Sequence, residues 1–187
     1  PEDKLLKLWE GLGYYNRVRN MQKAAQKIEE EYAGKFPENY EEIKALPGIG
    51  NYTAGAISSF AYGIPKPAVD GNVLRVVSRL LASDEDIMKA SVRTKIENAI
   101  EPVIPEDAAS DFNQGLIELG AIVCVPNGEA KCEICPLTGI CEAKRLGIQN
   151  ELPVKKKAKA RRIEERTVLI FKDGDHVAIR KRPDKAL

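Results

Sequence analysis

Apolar residues recur at helical spacing from the first turn of this chain onward. In the segment EDKLLKLWEGL, Leu5, Leu8, Trp9 and Leu12 fall three or four residues apart, which places them on one helix face. The same period continues to about residue 147, broken where helix stop and start signals fall. It predicts helices near 3–11, 16–33, 39–46, 51–62, 72–82, 90–102, 108–123 and 136–146, a mostly helical domain spanning 1–147. The pattern then changes. Leu152-Pro153 followed by the basic run KKKAKARR, Lys155 to Arg162, reads as an exposed linker over 148–165. Two β-rich segments follow within 166–187, Thr167 to Phe171 and His176 to Arg180, joined by Lys172-Asp173-Gly174-Asp175. An Asp-Gly pair between such runs signals a hairpin. A lone hairpin is barely stable in water, so the pair reads as the opening of a further domain. The chain starts at Pro1 inside a helical pattern and stops at Leu187 just after a strand-like run, so an excerpt of a longer protein is expected.

Composition narrows the possibilities without choosing among them. A chain of 187 residues can bury one good core, or one domain and a piece of another. It carries no apolar run long enough to span a bilayer and no secretory signal. The formal net charge of +1 neither demands nor excludes nucleic acid; what matters is where the charge sits. Six of the eight residues from Lys155 to Arg162 are basic, fit for a solvated tether or a non-specific phosphate contact. The acids at 29–31 and 84–86 read as a solvated helix face and a loop.

All four cysteines, Cys124, Cys132, Cys135 and Cys141, lie within eighteen residues in the pattern C-x7-C-x2-C-x5-C. One C-x2-C flanked by two more thiols converges four soft ligands on a metal centre. Two disulfides are the alternative, and nothing else in the chain looks secreted. The one histidine, His176, falls far downstream in a strand-like run, so the site is all-thiolate. Spacing leaves zinc and iron–sulfur equally open.

Three further stretches bear chemistry. Residues 46–54, LPGIGNYTA, read as a tight hairpin between two helices. Its glycines let backbone approach a neighbour closely, and N–H groups at the start of the next helix then point at one anion. On a nucleic-acid protein the anion is a phosphate, held by Leu46, Gly48, Ile49 and Gly50; an ordinary turn between core helices is the plainer reading. About twenty residues later comes Asp70-Gly71-Asn72. An acid ahead of a helical run is first an N-cap, yet a carboxylate at a helix N-terminus is favoured in its charged form and can stabilise a developing sugar cation. Near the start, Tyr14-Tyr15 in a glycine-flexed turn precedes Arg17 and Arg19. Such aromatics can enter a base stack while the arginines meet phosphates.

Taken in order, GLGYYNRVRN, LPGIG, VDGN and the four-cysteine loop resemble the helix-hairpin-helix DNA glycosylases of the endonuclease III superfamily. Within it they look most like the MutY-type adenine branch. That resemblance covers essentially the whole chain and implies a mainly α, helix-hairpin-helix glycosylase fold with a [4Fe-4S] cluster on the 124–141 loop. The start of a β-containing, Nudix-like domain that recognises 8-oxoguanine would follow. The implied partner is double-stranded DNA containing adenine mispairs, met by a monomeric, bacterial-type cytoplasmic protein with no membrane. In the lyase branch a Schiff-base lysine precedes the hairpin threonine. Here that residue is Tyr52, and a phenol cannot form a Schiff base. Asp70 is then the carboxylate that stabilises the oxocarbenium-like sugar, with Tyr52 in its pocket and Asn72 beside it, and Tyr14 is the wedge in the base stack. The family's general-acid glutamate lies upstream of GLGYY, where this chain has only a few residues; Glu10 matches it by type alone. The chain by itself is therefore expected to bind DNA weakly and excise nothing. The endonuclease III-type bifunctional enzyme and a non-catalytic, zinc-stapled DNA-binding module stand as alternatives. The first cysteine gap holds seven residues where the family has six, and contains Glu129 with Lys131 as its one cation, so that loop is discounted as a DNA contact.

Overall fold

The computed structural model describes residues 1–156 and 163–179. The chain divides into two compact units, 1–156 and 157–187. The first is helical: α1 Glu2–Leu8, α2 Tyr15–Glu31, α3 Tyr40–Lys44, α4 Asn51–Tyr62, α5 Gly71–Leu80, α6 Ala90–Ile100, α7 Ala109–Glu118 and α8 Glu142–Leu146. Each helix whose start carries a capping side chain begins where that chemistry predicts. Asn39 accepts from the Glu41 amide ahead of α3, and Asp70 from the Asn72 and Val73 amides ahead of α5.

Helix α5 lies at the centre, with every residue from Val73 to Arg79 buried. Val69, Val73, Leu74 and Val77 pack with Ile87, Val92, Ile96, Ile100 and Ile104, and Phe112, Leu116 and Ile117 of α7 close the cluster. Helix α4 buries Ala54, Ser58 and Ser59 and is also seated by a close backbone contact. A Cβ on Gly55 would stand 2.0 Å from the Pro67 carbonyl oxygen, so only glycine allows α4 to lie this close to the strand-like 65–69 segment.

Five predicted elements differ from the structure. The helix expected over 108–123 stops at Glu118, and Leu119–Val123 widens into a π-helical turn in which the Cys124 amide donates to the Leu119 carbonyl at 2.7 Å. The helix expected over 136–146 is a 3₁₀ turn at Thr138–Ile140 and then the short α8, because the chain must carry Cys135 and Cys141 toward one pocket. The helix expected over 90–102 ends at Ile100 and tightens into a 3₁₀ turn at Glu101–Val103, where Pro102 cannot donate to the helical ladder. In the second unit the antiparallel ladder pairs Lys172 with Val177 and Asp173 with His176, so the tight turn is Gly174-Asp175 and two of the four expected linker residues are in the strands. Among the described residues Thr167 to Phe171 carries no strand, and a ladder-like bond runs from the Ala178 amide to the Phe171 carbonyl. Within the basic run only Lys155 and Lys156 fall among the described residues, and Arg180 to Pro183 lie outside them.

Candidate functional site

The backbone leading into Asp70 is pinned from three sides. The buried Asn113 of α7 accepts from the Ala68 amide at 2.8 Å and donates to the Lys66 carbonyl at 3.0 Å. Arg93 of α6 donates to the Val69 carbonyl at 2.5 Å. Gly55 of α4 closes on Pro67. Asp70 itself accepts on both oxygens: Oδ1 from the Asn72 and Val73 amides at 2.8 and 2.9 Å, Oδ2 from Asn72 Nδ2 at 2.8 Å. Every hydrogen bond to the carboxylate is donated to it, so its position at the α5 N-terminus is fixed before any ligand arrives.

Asn72 is held in turn. Its Oδ1 accepts from Arg75 Nη2 at 2.9 Å, and that guanidinium also donates to the carbonyls of Cys124 at 2.8 Å and Gly120 at 2.6 Å. Arg75 is 5% exposed, and burial lowers its pKa from the ordinary arginine value, with the neighbouring Arg79 adding to the effect. One turn on, Arg79 donates to the Leu152 carbonyl at 2.9 Å, the Val125 carbonyl at 3.0 Å and Cys124 Sγ at 3.2 Å. A continuous chain of contacts thus runs from the first cysteine through Arg75 and Asn72 to Asp70. The π turn makes it possible, because it frees the Gly120 carbonyl toward Arg75 and brings the Gly120 Cα against Asn72.

The four thiols are free and partly buried, and all of them line one pocket with Arg79, Lys144 and Gln149. Burial pushes the Cys132 thiol up, against the pull of Lys144. Among the described residues no three His, Cys, Asp or Glu side chains are gathered closely enough to hold a single ion. Four thiols around a shared pocket, facing a guanidinium donor, are a donor set fit for an all-thiolate metal centre.

At the hairpin, Gly48 has φ 81°, and a Cβ there would meet Asn20 Cβ at 2.6 Å. Gly50 differs from expectation: it is the N-cap of α4 with φ −98°, so its use is open space rather than a left-handed backbone, and a Cβ there would meet nothing within 4 Å. Leu46 is 2% exposed and serves the core, leaving Gly48 to Gly50 as the outward part. Arg17 lines the same groove as Pro47, Gly48, Ile49 and Thr53 and makes no ion pair among the described residues. Arg19 is less free, because its Nε donates to Glu2 at 2.8 Å. Tyr14 is 82% exposed in a left-handed conformation ahead of α2, on a turn fixed by Trp9 Nε1 donating to the Gly13 carbonyl at 2.8 Å. Tyr52, in the first turn of α4, is exposed and has no hydrogen bond to Asp70 or Asn72. Glu10 is exposed and paired with Lys7 at 2.5 Å, surroundings that give it no catalytic character.

The HhH-GPD model, described as a superfamily of base excision DNA repair proteins, matches residues 1–102. The chain belongs to that superfamily. It is 42% identical over 141 residues to the adenine DNA glycosylase of Buchnera aphidicola from Acyrthosiphon pisum, a match covering 75% of this chain and 40% of that protein. It is 39% identical over 151 residues to the human adenine DNA glycosylase, covering 80% and 28%. The chain thus spans well under half the length of these relatives. Among solved structures, a thermostable thymine-DNA glycosylase aligns with TM-score 0.67 at 28% identity, over 78% of this chain and 67% of that one. A non-covalent endonuclease III–DNA complex aligns with TM-score 0.65 at 30% identity, over 80% and 68%.

The residues that sequence reasoning missed in this HhH-GPD chain are Arg75, Arg79, Asn113 and Gly120. The arginines gave no signal: in VLRVVSRL, Arg75, Ser78 and Arg79 fall three and four apart on one polar face, which reads as a solvated stripe, and only the structure shows that face buried.

Proposed function

We propose that the protein containing this chain hydrolyses the N-glycosidic bond of adenine mispaired with 8-oxoguanine or guanine in double-stranded DNA. The observation that carries this reading is the Asp70 carboxylate, fixed by α5 and Asn72 at the end of a pinned segment. As the bond to the base breaks, positive charge develops on the sugar. A carboxylate that need not reorganise stabilises that charge at its most developed point. Adenine must leave the stack to reach it; Gly48 to Gly50 and Arg17 would hold the flanking phosphate, and Tyr14 would fill the gap. Tyr52, where a Schiff-base lysine would stand, supports hydrolysis without strand cleavage, and relatives named adenine DNA glycosylase support the base.

Cys124, Cys132, Cys135 and Cys141 would hold a [4Fe-4S] cluster, which when bound cross-links the loop that buttresses α5. The hairpin within 166–187 is read as the opening of a Nudix-like domain that recognises 8-oxoguanine, in a monomeric cytoplasmic protein.

Asp70→Asn in the full-length protein tests the reading. Asparagine caps a helix as well as aspartate does, so stability should change by less than about 0.5 kcal/mol. Removing the charge should cut single-turnover adenine release from an adenine:8-oxoguanine duplex by on the order of 10²-fold or more. Release at the wild-type rate by D70N would refute the role of Asp70.

A further inference from the structure

Gln149 carries the one side-chain amide in the cysteine pocket, and nothing in the described residues satisfies it. Its Oε1 is buried without a partner, and neither end of the amide makes a hydrogen bond. It lines the pocket together with all four thiols. Its backbone is not a loose tail. Helix α8 ends at Gly147, φ 74°, the Ile148 amide returns to the Ala143 carbonyl at 3.0 Å, and the Glu151 amide closes a turn onto the Ile148 carbonyl at 3.0 Å. The side chain is thereby delivered to the pocket by a fixed turn.

Buried polar groups in native proteins are almost always bonded, so an orphaned amide marks the place of a partner. The chemistry of that partner follows from the pocket. Thiolate and sulfide sulfurs accept hydrogen bonds and do not donate them. An amide meeting them must present its N–H, and a half-turn about the last torsion exchanges Nε2 with Oε1 at no cost in shape. The exchange resolves both ends at once: the less buried position, now Nε2, would receive the oxygen and let water satisfy it. On another wall Arg79 already makes an N–H to sulfur contact, 3.2 Å from Cys124 Sγ.

We propose that Gln149 donates from Nε2 to a sulfur of the [4Fe-4S] cluster, raising its reduction potential and slowing its oxidative loss. The inference rests on the reading of the four thiols as the cluster's anchor. Hydrogen bonds to cluster sulfurs stabilise the more reduced, more negatively charged state, and partners beyond the ligands tune a metal centre by such contacts.

The test uses the full-length, cluster-containing protein and its Q149M and Q149E variants, which keep the volume and remove the donor. The exposed Asn150→Ala serves as control. Reduction potential by film voltammetry, the rate at which the visible iron–sulfur absorbance bleaches under oxidant, and iron content per chain are measured on each. Both variants should shift to a more negative potential and bleach several-fold faster, a tenfold change in the one-electron equilibrium corresponding to about 59 mV. A variant that purifies with less iron than the Asn150→Ala control supports the contact equally. Wild-type potential and bleaching rate in both variants overturn it. Wild-type protein without iron and sulfide would instead overturn the cluster reading itself.

Discussion

Gly120→Ala puts the link between the cysteine loop and Asp70 under direct strain. The added Cβ would stand 2.6 Å from Asn72 Cβ and 3.0 Å from both the Cα and the carbonyl oxygen of Asn72. Carbon atoms rest about 3.5–4.0 Å apart, so the overlap is about 1 Å and part of it falls on backbone. Helix α5 has little room to retreat, because Arg75 and Arg79 bond it to the carbonyls of Gly120, Cys124, Val125 and Leu152. Overpacking of this kind costs about 1–3 kcal/mol. Losing the 2.6 Å bond from Arg75 to Gly120 adds roughly 1.5–3 kcal/mol, as for other bonds to charged groups. Glycine-to-alanine relief of the unfolded chain returns about 0.4–1 kcal/mol. The net loss is about 1.5–5.5 kcal/mol, or a fall in Tm of roughly 3–20 °C for a chain of this size. Displacing Asn72 also removes the donor on Asp70 Oδ2, which should slow adenine release about 10- to 100-fold. Thermal melting and single-turnover excision by the full-length protein read the two effects. Gly115→Ala, where a Cβ meets nothing within 4 Å, is the control and should stabilise slightly. A Gly120→Ala protein that melts and excises like the wild type would refute the coupling.

Gly55→Ala sets a Cβ 2.0 Å from the Pro67 carbonyl oxygen and 2.7 Å from its carbon, backbone that Asn113 holds in place, so a loss above about 3 kcal/mol is expected; a denaturation midpoint near wild type would contradict the close approach of α4. Lys66 bonds Glu101 at 2.5 Å, and that bond raises the pKa of its ammonium above the ordinary value of 10.5. A folded pKa above the unfolded one means the stabilisation is complete below pH 10.5 and fades as pH climbs through the folded value. The gap in denaturant midpoint between wild type and Lys66→Met should therefore be small, about 1 kcal/mol or less for this partly exposed pair, constant through neutral pH, and shrinking only in alkali. A gap that persists unchanged in strong alkali would count against the Glu101 bond as its source.

The sequence made α5 legible at both ends of its reasoning: an acid before a glycine announced the cap, and the apolar spacing announced the helix. Its two arginines were not placed, because periodicity records which residues are apolar and says nothing of which carbonyls a buried guanidinium will find. The π turn at Leu119–Val123 was hidden for a similar reason. Residues 108–123 keep helical spacing, and the widening turns the Gly120 carbonyl to Arg75, forty-five positions away, a partner that no local window contains. Cysteine spacing showed that the thiols belong together, yet not that the chain between them would prefer 3₁₀ turns to a helix. The hairpin glycines were half legible. Gly48 has a positive φ and an Asn20 side chain that leaves no room for a Cβ, whereas Gly50 has an ordinary φ and open space around it.

One helix of ten residues therefore serves two sites that the sequence presents fifty positions apart. The cap of α5 is Asp70 and its interior arginines grip the chain around Cys124, so the cysteine loop acts on Asp70 through geometry. If the loop holds the proposed cluster, its loss would displace the Cys124, Val125 and Gly120 carbonyls from two guanidinium groups that cannot stay buried unpaired. Arg75 would then turn away from Asn72, and Asn72 from Asp70, leaving the carboxylate with only its helix-cap bonds. Charge on the distant cluster need not be felt at Asp70 for this to happen. On the proposed reading, these contacts alone would let a group that takes no part in the chemistry hold the catalytic carboxylate in place.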